Sequence, residues 1–163
     1  MLVASRGVVA AVAVLAVSSA VPQGVVTQRI LSLTAARTIA EAALAECASR
    51  GFRTSVVVVD RSGELLVVLR HELAHPATLE MARSKAYTAV VFRGSTQEFQ
   101  TATANDPARL PQRDVPGILA LGGGVPIYSG GEIIGAVASS GSNQATDDEC
   151  AKAGAAKGAS LLE

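Results

Sequence analysis

The chain contains no tryptophan, two tyrosines and three phenylalanines among 163 residues. So few flat rings argue against a platform on which successive bases stack. Fourteen basic residues are balanced by fourteen acidic ones, so there is no basic field of the kind that draws a protein to nucleic acid. Only two histidines are present, too few for a zinc site that takes three from one chain. The length suits one domain with a real core rather than two.

Long apolar runs are also scarce. The longest opens the chain: Arg6 precedes "GVVAAVAVLAV" (Gly7–Val17), and Ser18-Ser19-Ala20 comes next as a small-residue cleavage site. This reads as a secretory signal over residues 1–20, because an apolar run this short falls below the roughly 20 residues that a bilayer core requires. Cleavage would remove Arg6 and no acidic residue, leaving the remainder close to neutral. Export to the periplasm or beyond bears on Cys47 and Cys150, the only two cysteines. In an oxidising compartment they can form a disulfide if their helices pack side by side, or remain two buried thiols; both readings stand.

After a patternless tail over residues 21–32, a helix is expected from about Thr34 to Arg50. Ser32 or Thr34 caps it, Gly51 stops it, and Ile39, Ala43 and Cys47 share its buried face. "TSVVVVD" (Thr54–Asp60) and "ELLVVLR" (Glu64–Arg70) read as a hairpin around the turn "DRSGE", with Gly63 as its left-handed residue. A second helix is expected from Pro76 or Ala77 to Phe92. A short third opens on the capping box Ser95-Thr96-Gln97-Glu98. A polar excursion (Thr103–Gly117) leads to three more strands: "GILAL" (Gly117–Leu121), "VPIYS" (Val125–Ser129) and "EIIGAVASS" (Glu132–Ser140), the last two joined at Gly130-Gly131. Thr146-Asp147-Asp148-Glu149 reads as the capping box of a closing helix rich in small residues. The sum is one α/β domain over residues 33–163, with a mainly antiparallel sheet of about five strands flanked by helices.

His71-Glu72-Leu73-Ala74-His75 spells the H-E-x-x-H of zinc metalloproteases. That chemistry requires both imidazoles on one helical face. Here His71 leaves the end of a strand, and Pro76 pushes the residue before it out of helical conformation. HELAH is therefore expected to be a strand-to-helix loop, not a zinc protease site. Weak metal binding by His71 and His75, with a third ligand from a neighbouring subunit, stays open. Hydrolase readings also fail, since Ser139-Ser140-Gly141 is no nucleophile elbow.

"VDRSGEL" (Val59–Leu65), Arg70, "ARSKAYTA" (Ala82–Ala89), "GGGVPI", "GGEIIGAVASSG" and the closing "DDECAKAG" together resemble the haem-binding, haem-degrading GlcG/HbpS-like family, from Leu33 to about Leu162. The resemblance implies a profilin-like fold, a homo-oligomer, and a secreted haem- or tetrapyrrole-binding protein with slow, iron-dependent haem degradation as an added capacity. Many relatives carry Asp-Gly after the arginine-led strand, where this chain has Glu72-Leu73 and its two histidines. Haem needs an axial donor and cations for its propionates. Donor candidates are His71, His75, Met81 and Thr96, the last lying where a threonine of a secreted relative aligns. Arg70, Arg83, Lys85 and Arg93 are candidate cations. Lys85 has an alternative as an ion pair with Asp60 or Glu80. Gly122-Gly123-Gly124 presents backbone N–H groups to an anion or else forms a tight turn.

Two other functions remain open from the residues. One is a cofactor-independent enzyme on a small organic acid or carbonyl compound, with His71, Glu72 and His75 as acid and base and Arg83 or Lys85 holding a carboxylate. The other is a sensory or structural partner of a membrane protein.

Overall fold

The computed structural model describes residues 24–162, so the leader expected over residues 1–20 lies outside the described residues. The elements are α1 (Leu33–Ser49), β1 (Ser55–Asp60), β2 (Leu65–Arg70), α2 (Thr78–Val91), α3 (Thr96–Asn105), a 3-10 turn (Leu110–Asp114), β3 (Gly124–Ser129), β4 (Glu132–Ser140) and α4 (Gln144–Ala159). The strands form one antiparallel sheet in the order β2-β1-β4-β3.

Most of these boundaries arise from local chemistry. Ser32 caps α1 by accepting the Ala35 N–H at 3.2 Å. At its other end Gly51, at φ +83°, lets its own N–H and that of Phe52 return to the carbonyls of Ala48 and Cys47. Asp60 accepts the N–H groups of Ser62 and Glu64, and Gly63 turns the hairpin at φ +85°. Gly130 and Gly131, both at positive φ, join β3 to β4.

The sheet has four strands rather than five. "GILAL" is apolar enough for a strand, but residues 118–120 form no ladder. The Leu119 N–H is satisfied instead by the Thr88 hydroxyl of α2, at 2.9 Å. The edge position beside β4 is already filled by β3. α4 also starts earlier than expected: Asn143 is its cap, accepting the Thr146 N–H at 3.0 Å. The tail has no helix or strand over residues 25–32, but Leu31 is buried in the core.

Helices cover the two faces of the sheet unequally. α1 and α4 pack together on one face, over a core of Ile39, Ala43, Val56, Val58, Ile134 and Val137. α2 lies on the other, sealing Val57, Val59, Ala136 and Ala138 beneath Ala82, Ala86 and Ala89, while the start of α3 touches β3. Cys47 of α1 and Cys150 of α4 form a disulfide, which settles the two readings left open by the sequence. The Ser139 hydroxyl lies 3.4 Å from Cys47 Sγ, and Arg50 ties the same two helices through Glu149.

The most deeply buried ion pair among the described residues lies on the α2 side. Lys85 is 1% exposed, and its ammonium donates to Asp147 Oδ2 at 2.9 Å and to the Ser139 carbonyl at 3.1 Å. The second oxygen of Asp147 accepts the Ser142 N–H (3.1 Å) and hydroxyl (2.7 Å). Gly123 crosses directly over this group. A Cβ there would come within 2.8 Å of Lys85 Nζ, Asp147 Cβ and the Ser139 carbonyl. The partner of Lys85 is thus Asp147, rather than Asp60 or Glu80.

Two consequences can be measured by urea unfolding. Lys85→Met should cost about 3–5 kcal/mol, because it strands the Asp147 carboxylate in the interior; adding Asp147→Leu should recover much of that loss. A cost below about 1 kcal/mol for the single change would show that water reaches the pair. Reduction of the disulfide, which closes a loop spanning 103 residues of sequence separation, should lower stability by about 2–5 kcal/mol. An identical unfolding curve with and without reductant would contradict this.

Candidate functional site

HELAH forms two successive turns between β2 and α2, with no helix until Thr78. The imidazoles therefore do not share a helical face. His71 is half-buried and His75 exposed. Nδ1 of His71 accepts the Leu73 N–H at 3.1 Å, and Nδ1 of His75 accepts the Ala77 N–H at 3.2 Å. Each contact places the neutral ring's proton on Nε2. The Glu72 carboxylate, 82% exposed, lies 3.5 Å from His71 Nδ1. Arg70 pins the loop by donating to the carbonyls of Ala74 and Glu72, so its guanidinium is already engaged.

Beside this loop the sheet is open. Val68 pairs with Val57 and Leu65 with Val59, so both point to the α2 face. α2 packs on β1, β4 and β3, and leaves Leu65 49% and Val68 43% exposed. On the flank of α2, Leu79, Arg83 and Tyr87 recur every four residues, one above another. The result is a groove with an apolar floor from β2 and a wall from α2. The His71/His75 loop and exposed Leu73 stand at one end.

At the other end the groove opens into a cleft of about 530 Å³ lined by Gly63, Glu64, Leu65, Arg83, Tyr87 and Gly117, with Pro116. The Tyr87 ring fits between two glycines. A Cβ at Gly63 would lie 2.5 Å from one ring edge, and a Cβ at Gly117 would lie 3.4 Å from the other. Arg83 pairs with Glu80 at 3.1 Å but stays half exposed, so its charge can still reach a ligand.

The other sequence candidates lie elsewhere. Lys85 is enclosed in the pair with Asp147. Thr96 is fully buried at the start of α3, where its hydroxyl accepts the Gly124 N–H at 2.9 Å and donates to the Gly124 carbonyl at 3.4 Å. Met81 is half-buried on α2, and Arg93 stands beyond the C-terminal end of that helix. The Gly122–Gly124 run is a crossing point rather than an anion cradle. The Gly122 N–H goes to the Gln144 side chain and the Gly124 N–H to Thr96.

Sequence reasoning missed Leu65, Val68 and Tyr87 as parts of a site. The four-residue spacing of Leu79, Arg83 and Tyr87 was a signal for the wall. Nothing local indicates that β2 is an edge strand left uncovered on one face.

Comparison with known proteins gives a consistent result. A family model described as "Haem degrading protein HbpS-like" matches residues 31–156. Protein GlcG of Escherichia coli K12 is 35% identical over 111 residues, covering 68% of this chain and 81% of its own. An uncharacterized 15.0 kDa protein from the dhaT-dhaS intergenic region of Citrobacter freundii is 31% identical over 113 residues, with 68% and 80% covered. A double mutant of HbpS from Streptomyces reticuli has a crystal structure that superposes with a TM-score of 0.78 at 34% identity, covering 88% of this chain and 97% of that one. The crystal structure of a PduOC:heme complex superposes with a TM-score of 0.72 at 25% identity, covering 79% and 95%. With the family model spanning most of the described residues and the fold agreeing throughout, this chain belongs to the HbpS-like family.

Proposed function

We propose that this protein binds haem, or a closely similar tetrapyrrole, in the groove between β2 and α2, and that it does so after export from the cytoplasm. The observation that carries the reading is the apolar floor of Leu65 and Val68, left open beside a wall that presents Arg83 and Tyr87. A tetrapyrrole is a flat apolar ring with carboxylates at its rim. It asks for this combination of an apolar slot, a cation and a nearby imidazole. The description of the family as haem-degrading and the haem complex of a relative support the same ligand class. The Cys47–Cys150 disulfide supports an oxidising compartment.

In this reading Leu65, Val68 and Leu73 shield the ring from water, and Arg83 neutralises a propionate. His71 or His75 donates to the iron. The donor imidazole must release its backbone contact at Nδ1 and carry its proton there, so that Nε2 has a free lone pair. Bound haem supplies an iron centre that takes up and releases electrons. The protein residues contribute only binding, orientation and exclusion of water.

Haemin titrated into the full chain and followed by absorbance is expected to give a saturable Soret shift, at one haem per chain or per pair of chains. Val68→Asp and Arg83→Glu should each weaken binding by roughly tenfold or more, since about 1.4 kcal/mol corresponds to tenfold. Both positions are exposed enough that thermal stability should hold. Replacement of the donor histidine by alanine should move the Soret band, and replacement of the other should not. A linear, unsaturating response equal in all these proteins would overturn the proposal.

A further inference from the structure

The ends of α1 and α2 close in the same way with different residues. After α1, the residue in left-handed conformation is Gly51, the usual choice because it has no Cβ to clash. After α2, the N–H groups of Arg93 and Gly94 return to the carbonyls of Val90 and Ala89, both at 3.2 Å. The left-handed residue is Arg93, at φ +55°, and no other non-glycine residue has positive φ among the described residues. Gly94 comes one position too late to take the strained place. The next residues along the chain hold the strain: the Ser95/Glu98 capping box and the two Thr96–Gly124 hydrogen bonds lock the corner to β3. A side chain kept where glycine would be easier is a pointer to a use for that side chain.

Arg93 lines a separate cleft of about 260 Å³ with Arg109, Phe92, Phe99, Ala102 and Glu98. Phe92 and Phe99 stack at 4.1 Å between ring centroids; Phe99 is buried, so the half-buried Phe92 supplies the apolar floor of the cleft. The ion pairs among the described residues engage neither Arg93 nor Arg109. The one acid in the cleft, Glu98, is held by the Ser95 cap; its negative charge remains, so the two arginines exceed it by one. The Ser95 backbone N–H and then its hydroxyl hold the Glu98 carboxyl below the usual carboxylate range. The cleft thus offers two uncommitted guanidinium forks over an aromatic floor. Its volume suits a single substituted ring and is small for a tetrapyrrole.

We propose that the cleft between the end of α2 and α3 is a second binding site, for a small aromatic carboxylate, with Arg93 and Arg109 gripping the carboxylate and Phe92 supporting the ring. The planar fork of arginine matches a carboxylate in a two-point contact, and offset rings add attraction beyond the area they bury. A lone phosphate lacks the apolar body that the floor would cover. A cation beyond a helix C-terminus is also favourable to the helix dipole, so the test must separate that role from ligand binding.

Benzene-1,2-dicarboxylate, benzoate and inorganic phosphate should be titrated calorimetrically into the full chain. The dicarboxylate is expected to bind saturably at one per chain, with benzoate weaker and phosphate weaker still. Arg93→Gly should raise the thermal midpoint by relieving the backbone while weakening the dicarboxylate by roughly tenfold or more. Arg93→Lys keeps the charge at the helix end but loses the fork, and should weaken binding too. Arg109→Ala should weaken binding with the midpoint unchanged, and haemin titration should be unaffected in all three variants. Absence of saturable dicarboxylate binding, or binding unchanged in Arg93→Gly and Arg109→Ala, would overturn the proposal. So would phosphate binding as tight as the dicarboxylate, or a lower midpoint in Arg93→Gly, which would make Arg93 a structural prop.

Discussion

Lys85 and Asp147 organise this molecule. A charge in the interior is tolerated only when a partner and hydrogen bonds replace the water it has lost, and here every polar atom of the pair has one. The pair fastens α2 to the start of α4 and to the end of β4. Gly123 must pass over it without a side chain. Ser139 extends the junction: its carbonyl takes the Lys85 ammonium, its N–H bonds Gly123, and its hydroxyl lies against the disulfide. Both faces of the sheet are therefore joined at one residue of β4.

The position of α2 is a consequence of that anchor. Held over β1, β4 and β3, with small residues allowing close approach to the sheet, it leaves Leu65 and Val68 of β2 about half exposed. The opposite face carries two helices and has no such gap. The groove with its exposed Leu65 and Val68 results because α2, the main cover of this face, is centred on β1 and β4. The cations that the ligand reading requires are limited by the same packing. Lys85 is spent on the fold and Arg70 on the loop, which leaves Arg83 half exposed at the wall.

The connection from α2 to α3 shows a different balance. Its backbone is determined several times over, by the helix-end hydrogen bonds, the capping box and Thr96 on Gly124. That surplus is what lets a non-glycine residue hold a left-handed conformation. The same corner keeps the Phe92–Phe99 stack in place. Strain, rigidity and an arginine-lined cleft therefore occur together, on an element distinct from the groove.

Local chemistry made much of this legible from residue order alone. Ser32 and Ser95 as caps, Gly51 and Gly63 as left-handed residues, the Gly130-Gly131 hairpin and the Pro76 break before α2 all depend on neighbours in the chain, and the structure has each of them. The non-helical state of HELAH was readable for the same reason. "GILAL" was misread because a strand is defined by a partner, and its apolar pattern could not show that β3 already holds the edge position. The partner of Lys85, 62 residues away, and the choice between disulfide and free thiols were equally invisible, since each is a distance between segments remote in sequence. Apart from "GILAL", the sequence by itself determined which segments are helix, strand and turn, because propensity, capping and glycine geometry act over a few residues. Only the tertiary structure decided which cation is buried, which strand face stays open and which arginines remain uncommitted, because those depend on what the fold packs against them.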